Sequence, residues 1–172
     1  MTKIVIVDSN DRVIGTEYKE IAWQKGLIRR VVRLLVLNSA GKVYLQKRSL
    51  AMRLYPGLWD QSVGGHVDEG ESYYQAAIRE MGEELGIFGV RPKKLTKFFL
   101  EEQSGDLVVP GFNTVYEVVY DGVLTVQKSE LAGGAWFDQA KLKQLIKKKP
   151  QDFVPACILT LSEFWRIKHG TS

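Results

Sequence analysis

The stretch Gly64–Ile87, GGHVDEGESYYQAAIREMGEELGI, decides how the rest of the chain is read. Most of it is a helix with its own start and stop signals. Ser72 is an N-cap with Gln75 three residues on, the spacing of a capping box, and Gly86 can take the left-handed conformation that ends a helix. Between them Tyr74, Ala77, Ile78, Met81 and Leu85 recur at helical spacing and predict one buried stripe. Glu80, Glu83 and Glu84 fall on a neighbouring face at i, i+3 and i+4. Like charges at that spacing repel, and Glu83 and Glu84 stand in the last turn, where the helix dipole favours cations. A hard divalent cation would relieve both, since Mg²⁺ is held by one or two carboxylates plus substrate phosphates and keeps several waters. On spacing alone, a solvated acidic face partly neutralised by Arg79 is the simpler alternative.

The residues around the helix go further. Gly64-Gly65 precedes it and Gly70-Glu71 stands just before its cap; such turns permit close backbone approach and can offer a carbonyl to a metal. The spacing Gly65, five residues, Glu71, seven residues, Arg79-Glu80-Met81-x-Glu83-Glu84-x-Gly86-Ile87 resembles the complete signature of the Nudix hydrolases. The resemblance implies an α/β/α sandwich with a mixed β-sheet, in which the signature forms a loop-helix-loop. It also implies Mg²⁺- or Mn²⁺-dependent hydrolysis of a diphosphate linked to another moiety. Carried onto this chain, it makes Glu83 and Glu84 the principal metal ligands, with the Gly64 or Gly65 carbonyl contributing. Glu80 becomes a further ligand or the carboxylate that orients or deprotonates water. Arg79 holds a carboxylate in place, and Glu71 is structural. Family members often draw a proton acceptor from beyond the helix; Glu101, Glu102, Glu117 and Glu130 are the candidates, with Glu117 favoured for a metal-supporting role.

Composition sets the bounds. A chain of 172 residues with 10% aromatics suits one domain with a proper core, read as spanning 1–172 with a short N-terminal strand addition and a C-terminal helix. Cys157 is the one cysteine, which rules out an intrachain disulfide. No segment has the apolar length of a membrane span and the N-terminus lacks a signal-peptide pattern, so the expected location is cytoplasmic. A net charge of +4 would help attract phosphorylated ligands. The alternative of a nucleic-acid surface built on Arg91, Lys93, Lys94 and Lys97 has no aromatic-basic pattern to support it. A homodimer is compatible with the resemblance.

Strands are expected at 4–7, 13–15, 31–37 and 42–47, the last two as a hairpin turning at Asn38-Ser39-Ala40-Gly41. Residues 59–63 read as one short strand, 95–101 as another, and 107–109 and 113–120 as two strands separated by a turn at Pro110-Gly111. Short strands at 124–126 and 135–137 follow, then helices from Asp138 through Lys149 and from Pro155 to Lys168. Arg29, Arg30 and Arg33 read as edge or surface charge. Lys47 and Arg48 end their strand near the signature and are candidates for phosphate contact, as is His66 after the glycines. Trp59, Phe98, Phe99, Phe112 and Tyr116 could stack on a nucleobase, and a nucleoside diphosphate or triphosphate derivative is the expected substrate class. Beyond the signature, Leu45-Gln46-Lys47-Arg48-Ser49 and Tyr55-Pro56-Gly57-Leu58-Trp59-Asp60 resemble the branch that includes isopentenyl-diphosphate isomerases. Those isomerases carry a catalytic cysteine before the signature helix and histidines near the first core strand. This chain has no cysteine before Cys157 and no histidine before His66, which disfavours isomerisation. A non-catalytic, ligand-binding domain is the remaining alternative; intact Glu80, Glu83 and Glu84 argue against it.

Overall fold

A computed structural model of the chain describes residues 2–127 and 131–170. The N-terminal hairpin pairs β1 (Lys3–Val7) with β2 (Val13–Tyr18), and the short helix α1 (Lys19–Gln24) follows. Next come β3 (Arg29–Leu37), β4 (Val43–Arg48), β5 (Trp59–Asp60), β6 (Val63–His66) and helix α2 (Tyr73–Leu85). The long hairpin of β7 (Lys93–Ser104) and β8 (Leu107–Val119) leads to β9 (Leu131–Phe137), α3 (Gln139–Lys148), a 3₁₀ turn at Pro150–Asp152, and α4 (Pro155–His169).

Strand β3 organises the nine-stranded mixed sheet. It runs parallel to β8 from Arg29↔Gly111 to Leu37↔Val119 and antiparallel to β6 from Val31↔His66 to Leu34↔Val63. Its alternation feeds two cores. Val32, Leu34 and Val36 join Val5, Tyr44, Val63, Ala77, Met81 and Leu85 under α2, whereas Leu35 and Leu37 join Val43, Leu45, Leu142, Phe153, Leu161 and Phe164 under α3 and α4. Helices on both faces of a mixed sheet make the expected α/β/α sandwich.

Four expectations need correction. The β3–β4 hairpin pairs only at Val36↔Tyr44 and Leu37↔Val43, because β6 takes the rest of β3's edge while β4 turns to β5 and β9. Residues 59–63 are therefore two strands on two partners. Pro110-Gly111 makes no turn: Pro110 stands one residue before the β3 pairing begins, where its missing N–H costs no bond to β3. Residues 124–126 hold no strand, and instead Thr125 N donates to Leu85 O and Gln127 N to Glu84 O at the end of α2.

Helix α2 begins and ends as the residues indicate. Ser72 and Gln75 form both halves of the capping box, and Gly86 adopts φ 66°. Its buried face is rotated from the expected stripe, however. Tyr74 and Ile78 are each 39% exposed, whereas Ala76, Gly82 and Glu84 turn inward. That rotation carries the acidic face towards β6. Among the described residues, no helix is long and apolar enough to cross a membrane.

Candidate active site

Gly64 and Gly65 sit in β6 opposite Arg33 and Val32 of β3, and their missing side chains shape the site. A Cβ on Gly65 would lie 1.9 Å from Glu80 Oε1, so the Glu80 carboxylate occupies the space a side chain would take. Gly64 N–H donates to Glu84 Oε2 at 3.3 Å, and Glu84 is only 4% exposed. Arg79 binds the group together. Its Nε and Nη2 donate to the two Glu71 oxygens at 2.8 and 2.9 Å, Nη2 also to His66 O at 2.9 Å, and Nη1 to Glu80 at 2.8 Å and Glu83 at 3.2 Å. Those bonds hold Glu71 below its ordinary pKa. Burial pushes Glu80 up to about 7, against the pull of Arg79 and with the push of Glu83. The environment of Glu80 thus favours an added positive charge.

The carboxylates line one end of a cleft of about 430 Å³, with α1, β3, β4 and the loop before β5 as its other walls. The opposite wall is basic. Arg29 and Arg33, each 4% exposed, share Glu102, whose Oε2 accepts from Arg29 Nη2 at 3.3 Å and Arg33 Nη2 at 3.1 Å. Arg29 also donates to the carbonyls of Val109 and Pro110 at 2.7 and 2.9 Å. A Cβ at Gly111 would lie 3.2 Å from Arg29 Nη1, so glycine makes room for that guanidinium. Burial lowers Arg29 to about 10, with Glu102 opposing, and it stays charged at neutral pH. Arg33 reaches Asn113 Oδ1 at 2.8 Å and Gln61 Oε1 at 3.0 Å. The Gln61 amide nitrogen would lie 2.4 Å from a Cβ on Gly64, which links the basic wall to the carboxylates across a single glycine.

Several candidates from the sequence meet here. Glu80, Glu83, Glu84, Gly64, Gly65, Arg48 and His66 line the cleft. Arg48 is ion-paired to the buried Asp60 at 3.0 Å. His66 Nε2 accepts from Arg29 Nε at 3.0 Å, and burial followed by the charge of Arg29 keeps the ring well below its ordinary pKa. It is therefore neutral, with its proton on Nδ1. Lys47 turns away from the cleft to lie 4.8 Å over the Trp59 ring. Glu117 is also elsewhere, bonded to Lys168 Nζ at 2.7 Å beside α4. The even-numbered side of that stretch of β8 faces α2, which leaves Glu117 on the α4 side. Of the other candidate bases, Glu101 is exposed, Glu102 lies in the cleft, and Glu130 falls outside the described residues.

None of Trp59, Phe98, Phe99, Phe112 and Tyr116 lines the cleft. Trp59 packs edge-on against Phe137 and Phe99 against Phe112, while Tyr116 is buried. The aromatic rings in the cleft are Trp23 and Tyr55. Arg29 and Arg33 correct the reading of edge charge. They alternate with Val31 and Leu35 on one face of the central strand, and that alternation is the signal that would have marked them as buried.

A family description reading "NUDIX domain" matches residues 27–157. The chain belongs to the Nudix family. An uncharacterised Nudix hydrolase of Streptomyces coelicolor is 36% identical over 151 residues, covering 87% of this chain and 81% of that protein. An isopentenyl-diphosphate Δ-isomerase of Serratia proteamaculans is 30% identical over 151 residues, covering 87% and 84% respectively. A crystal structure of a Deinococcus radiodurans protein superposes with a TM-score of 0.71 at 27% identity, covering 90% of this chain and 98% of that one. Hydrolase and isomerase relatives lie at comparable distance, so this Nudix chain is assigned to the family and to no branch within it.

Proposed function

We propose that this Nudix protein hydrolyses a diphosphate bond joined to another moiety, with Mg²⁺ or Mn²⁺ held at the α2 end of the cleft. One observation carries the reading: Glu80 and Glu84 are drawn onto the backbone of Gly64-Gly65 in a cleft that Arg29, Arg33 and Arg48 also line. Among the described residues, no three His, Cys, Asp or Glu side chains form a ready-made cage. That fits Mg²⁺, which takes one or two carboxylates and completes its shell with water and substrate phosphate. The donors here are oxygens, one of them on a buried carboxylate that favours added positive charge. Glu83 and Glu84 would hold the ion, with a carbonyl of Gly64 or Gly65, and Glu80 would be a further ligand or the carboxylate that orients water. When bound, it would neutralise diphosphate oxygens, polarise phosphorus and lower the pKa of an attacking water.

The chain's own groups divide the remaining work. Arg79 fixes Glu71, Glu80 and Glu83, of which Glu80 and Glu83 line the cleft. Where it does not ligate the ion, Glu80 would orient or deprotonate the attacking water. Arg48 and the neutral His66 stand where a phosphate would pass from the acidic to the basic end. The sequence has no cysteine before Cys157 and no histidine before His66, and His66 itself accepts from Arg29, which favours hydrolysis over isomerisation. A nucleoside diphosphate or triphosphate derivative is the first class to assay, with Trp23 and Tyr55 as the available rings.

The test is a phosphate-release screen with Mg²⁺ and with Mn²⁺ over nucleotides, dinucleotides, nucleotide sugars and prenyl diphosphates. Wild type is compared with Glu84→Gln. Metal-dependent cleavage reduced at least about a hundredfold in the variant is expected. Nucleotide and metal binding without any cleavage would replace this reading with a ligand-sensing domain.

A further inference from the structure

The basic wall of the cleft carries hydrogen-bonding capacity that the fold does not consume. Arg33 uses Nε on Asn113, one Nη1 hydrogen on Gln61 and one Nη2 hydrogen on Glu102. A guanidinium has five N–H donors, so two have no partner among the described residues, on a side chain that is buried yet borders the cleft. Gln46, which also lines the cleft, is 2% exposed and its Oε1 has no hydrogen-bond partner among the described residues. Buried polar atoms nearly always have one. Spare donors and a spare acceptor in one cleft suit a ligand that accepts from the first and donates to the second.

The charges agree. Arg29 and Arg33, both buried, share a single carboxylate, Glu102, two cations against one, beside a neutral His66. A charge held away from water needs a partner, and an incoming oxyanion supplies it. Position ties the wall to the carboxylates. Arg33 pairs across the strands with Gly64, whose N–H holds Glu84. A molecule with its diphosphate at the glutamates is therefore one strand away from Arg33.

We propose that Arg33 and Gln46 form a second subsite of this cleft, which takes an oxyanion on the moiety attached to the diphosphate and, beside it, a hydroxyl or amine hydrogen. The proposal rests on the cleft being the diphosphate site and narrows its substrates to polar, additionally acidic diphosphates such as phosphorylated or carboxylated polyols. Prenyl and simple alkyl diphosphates would leave Arg33 and Gln46 unpaired, and a site built on buried hydrogen bonds rejects an analogue that lacks them.

Three pentose 1-diphosphates, bearing phosphate, carboxylate or hydroxyl at carbon 5, separate the possibilities. Binding to the full chain is measured by calorimetry in EDTA, and cleavage separately with Mg²⁺ and Mn²⁺. At least one acid-bearing sugar should bind roughly a hundredfold tighter than the hydroxyl sugar, and the better of the two names the oxyanion. Arg33→Gln should bring all three within about threefold of one another. Gln46→Leu keeps every charge; it should weaken the preferred sugar about tenfold and leave its analogue without ring hydroxyls unaffected. Equal binding of the three sugars by wild type overturns the subsite, as does discrimination that survives in a folded Arg33→Gln. If Arg33→Gln fails to fold, the wild-type comparison and Gln46→Leu decide. Discrimination without cleavage would sink the hydrolase reading instead, and cleavage without discrimination would sink only the subsite.

Discussion

Gly65 and Arg79 act on the same carboxylate from opposite sides, one by leaving space and the other by donating. Gly65→Ala places a methyl group inside the Glu80 carboxylate, which must swing away. A displacement of about 1 Å at a catalytic group can cost about a hundredfold in rate, and that loss in kcat, with a far-UV spectrum unchanged, is the expected result. Arg79→Lys removes the fork that grips both Glu71 oxygens and reaches Glu80 at once. Lysine cannot reproduce it, and activity should fall about 10- to 100-fold in a metal titration that also shows weaker affinity. Glu117 provides the contrast. It pairs with the half-exposed Lys168, an interaction worth under about 1 kcal/mol, so Glu117→Gln should keep turnover within about threefold of wild type. The acidic residues of the signature were legible because their spacing is local. Glu117 and the arginines were not, since their roles depend on which strand face points at the cleft. Tyr74 and Ile78 show the same limit. Apolar character marks what a helix can bury, while α2 buries a carboxylate in their place.

Asp11 joins three elements to the N-terminal hairpin. Arg30 of β3 donates from Nε at 2.7 Å, Tyr73 of α2 at 3.0 and 3.1 Å, and Lys97 of β7 completes the set. Burial would raise the carboxyl, but the bonds from Lys97, Arg30 and Tyr73 outweigh it and leave its pKa below the ordinary value. A depressed folded pKa means that this stabilisation is fully present above the unfolded value of about 3.9 and is lost as pH falls through the folded one. Asp11→Asn tolerates the φ of 60° found here, and should cost about 1–3 kcal/mol at pH 7. That gap should narrow in urea titrations carried progressively below the ordinary carboxylate pKa of about 3.9. The hairpin and its turn were readable from 4–15, but the anchor was not, because its partners lie 19, 62 and 86 residues away. Likewise the capping box and Gly86 bound α2 closely, whereas the split of 59–63 into two strands is set by partners that local sequence does not contain.

Across the molecule, β3 contributes alternate side chains to both cores, so neither face can melt while the other keeps its packing. Met81→Ala under α2 and Leu142→Ala under α3 remove fully buried side chains from opposite layers. Each should cost about 2–5 kcal/mol, with the double variant additive within about 0.5 kcal/mol. Fluorescence and circular dichroism should report one coincident transition in all three; separate transitions would mean that the layers unfold independently. The sandwich as a class was legible from alternating strands and amphipathic helices. The parallel β3–β8 pairing was not, because nothing near either strand names the other.

That pairing also sets a schedule for the chain as it is made. β3 is synthesised early, with Val31–Leu37 apolar apart from Arg33, yet its parallel partner ends at Val119. At about 5–20 residues per second, the roughly eighty intervening residues take about 4–16 s to emerge. During that interval the central strand has β1, β4 and β6 to lean on but one long edge uncovered. Newly made chains are most exposed to aggregation in this window, so soluble yield should depend on translation speed between codons 38 and 119 more than on any codon after α3 begins.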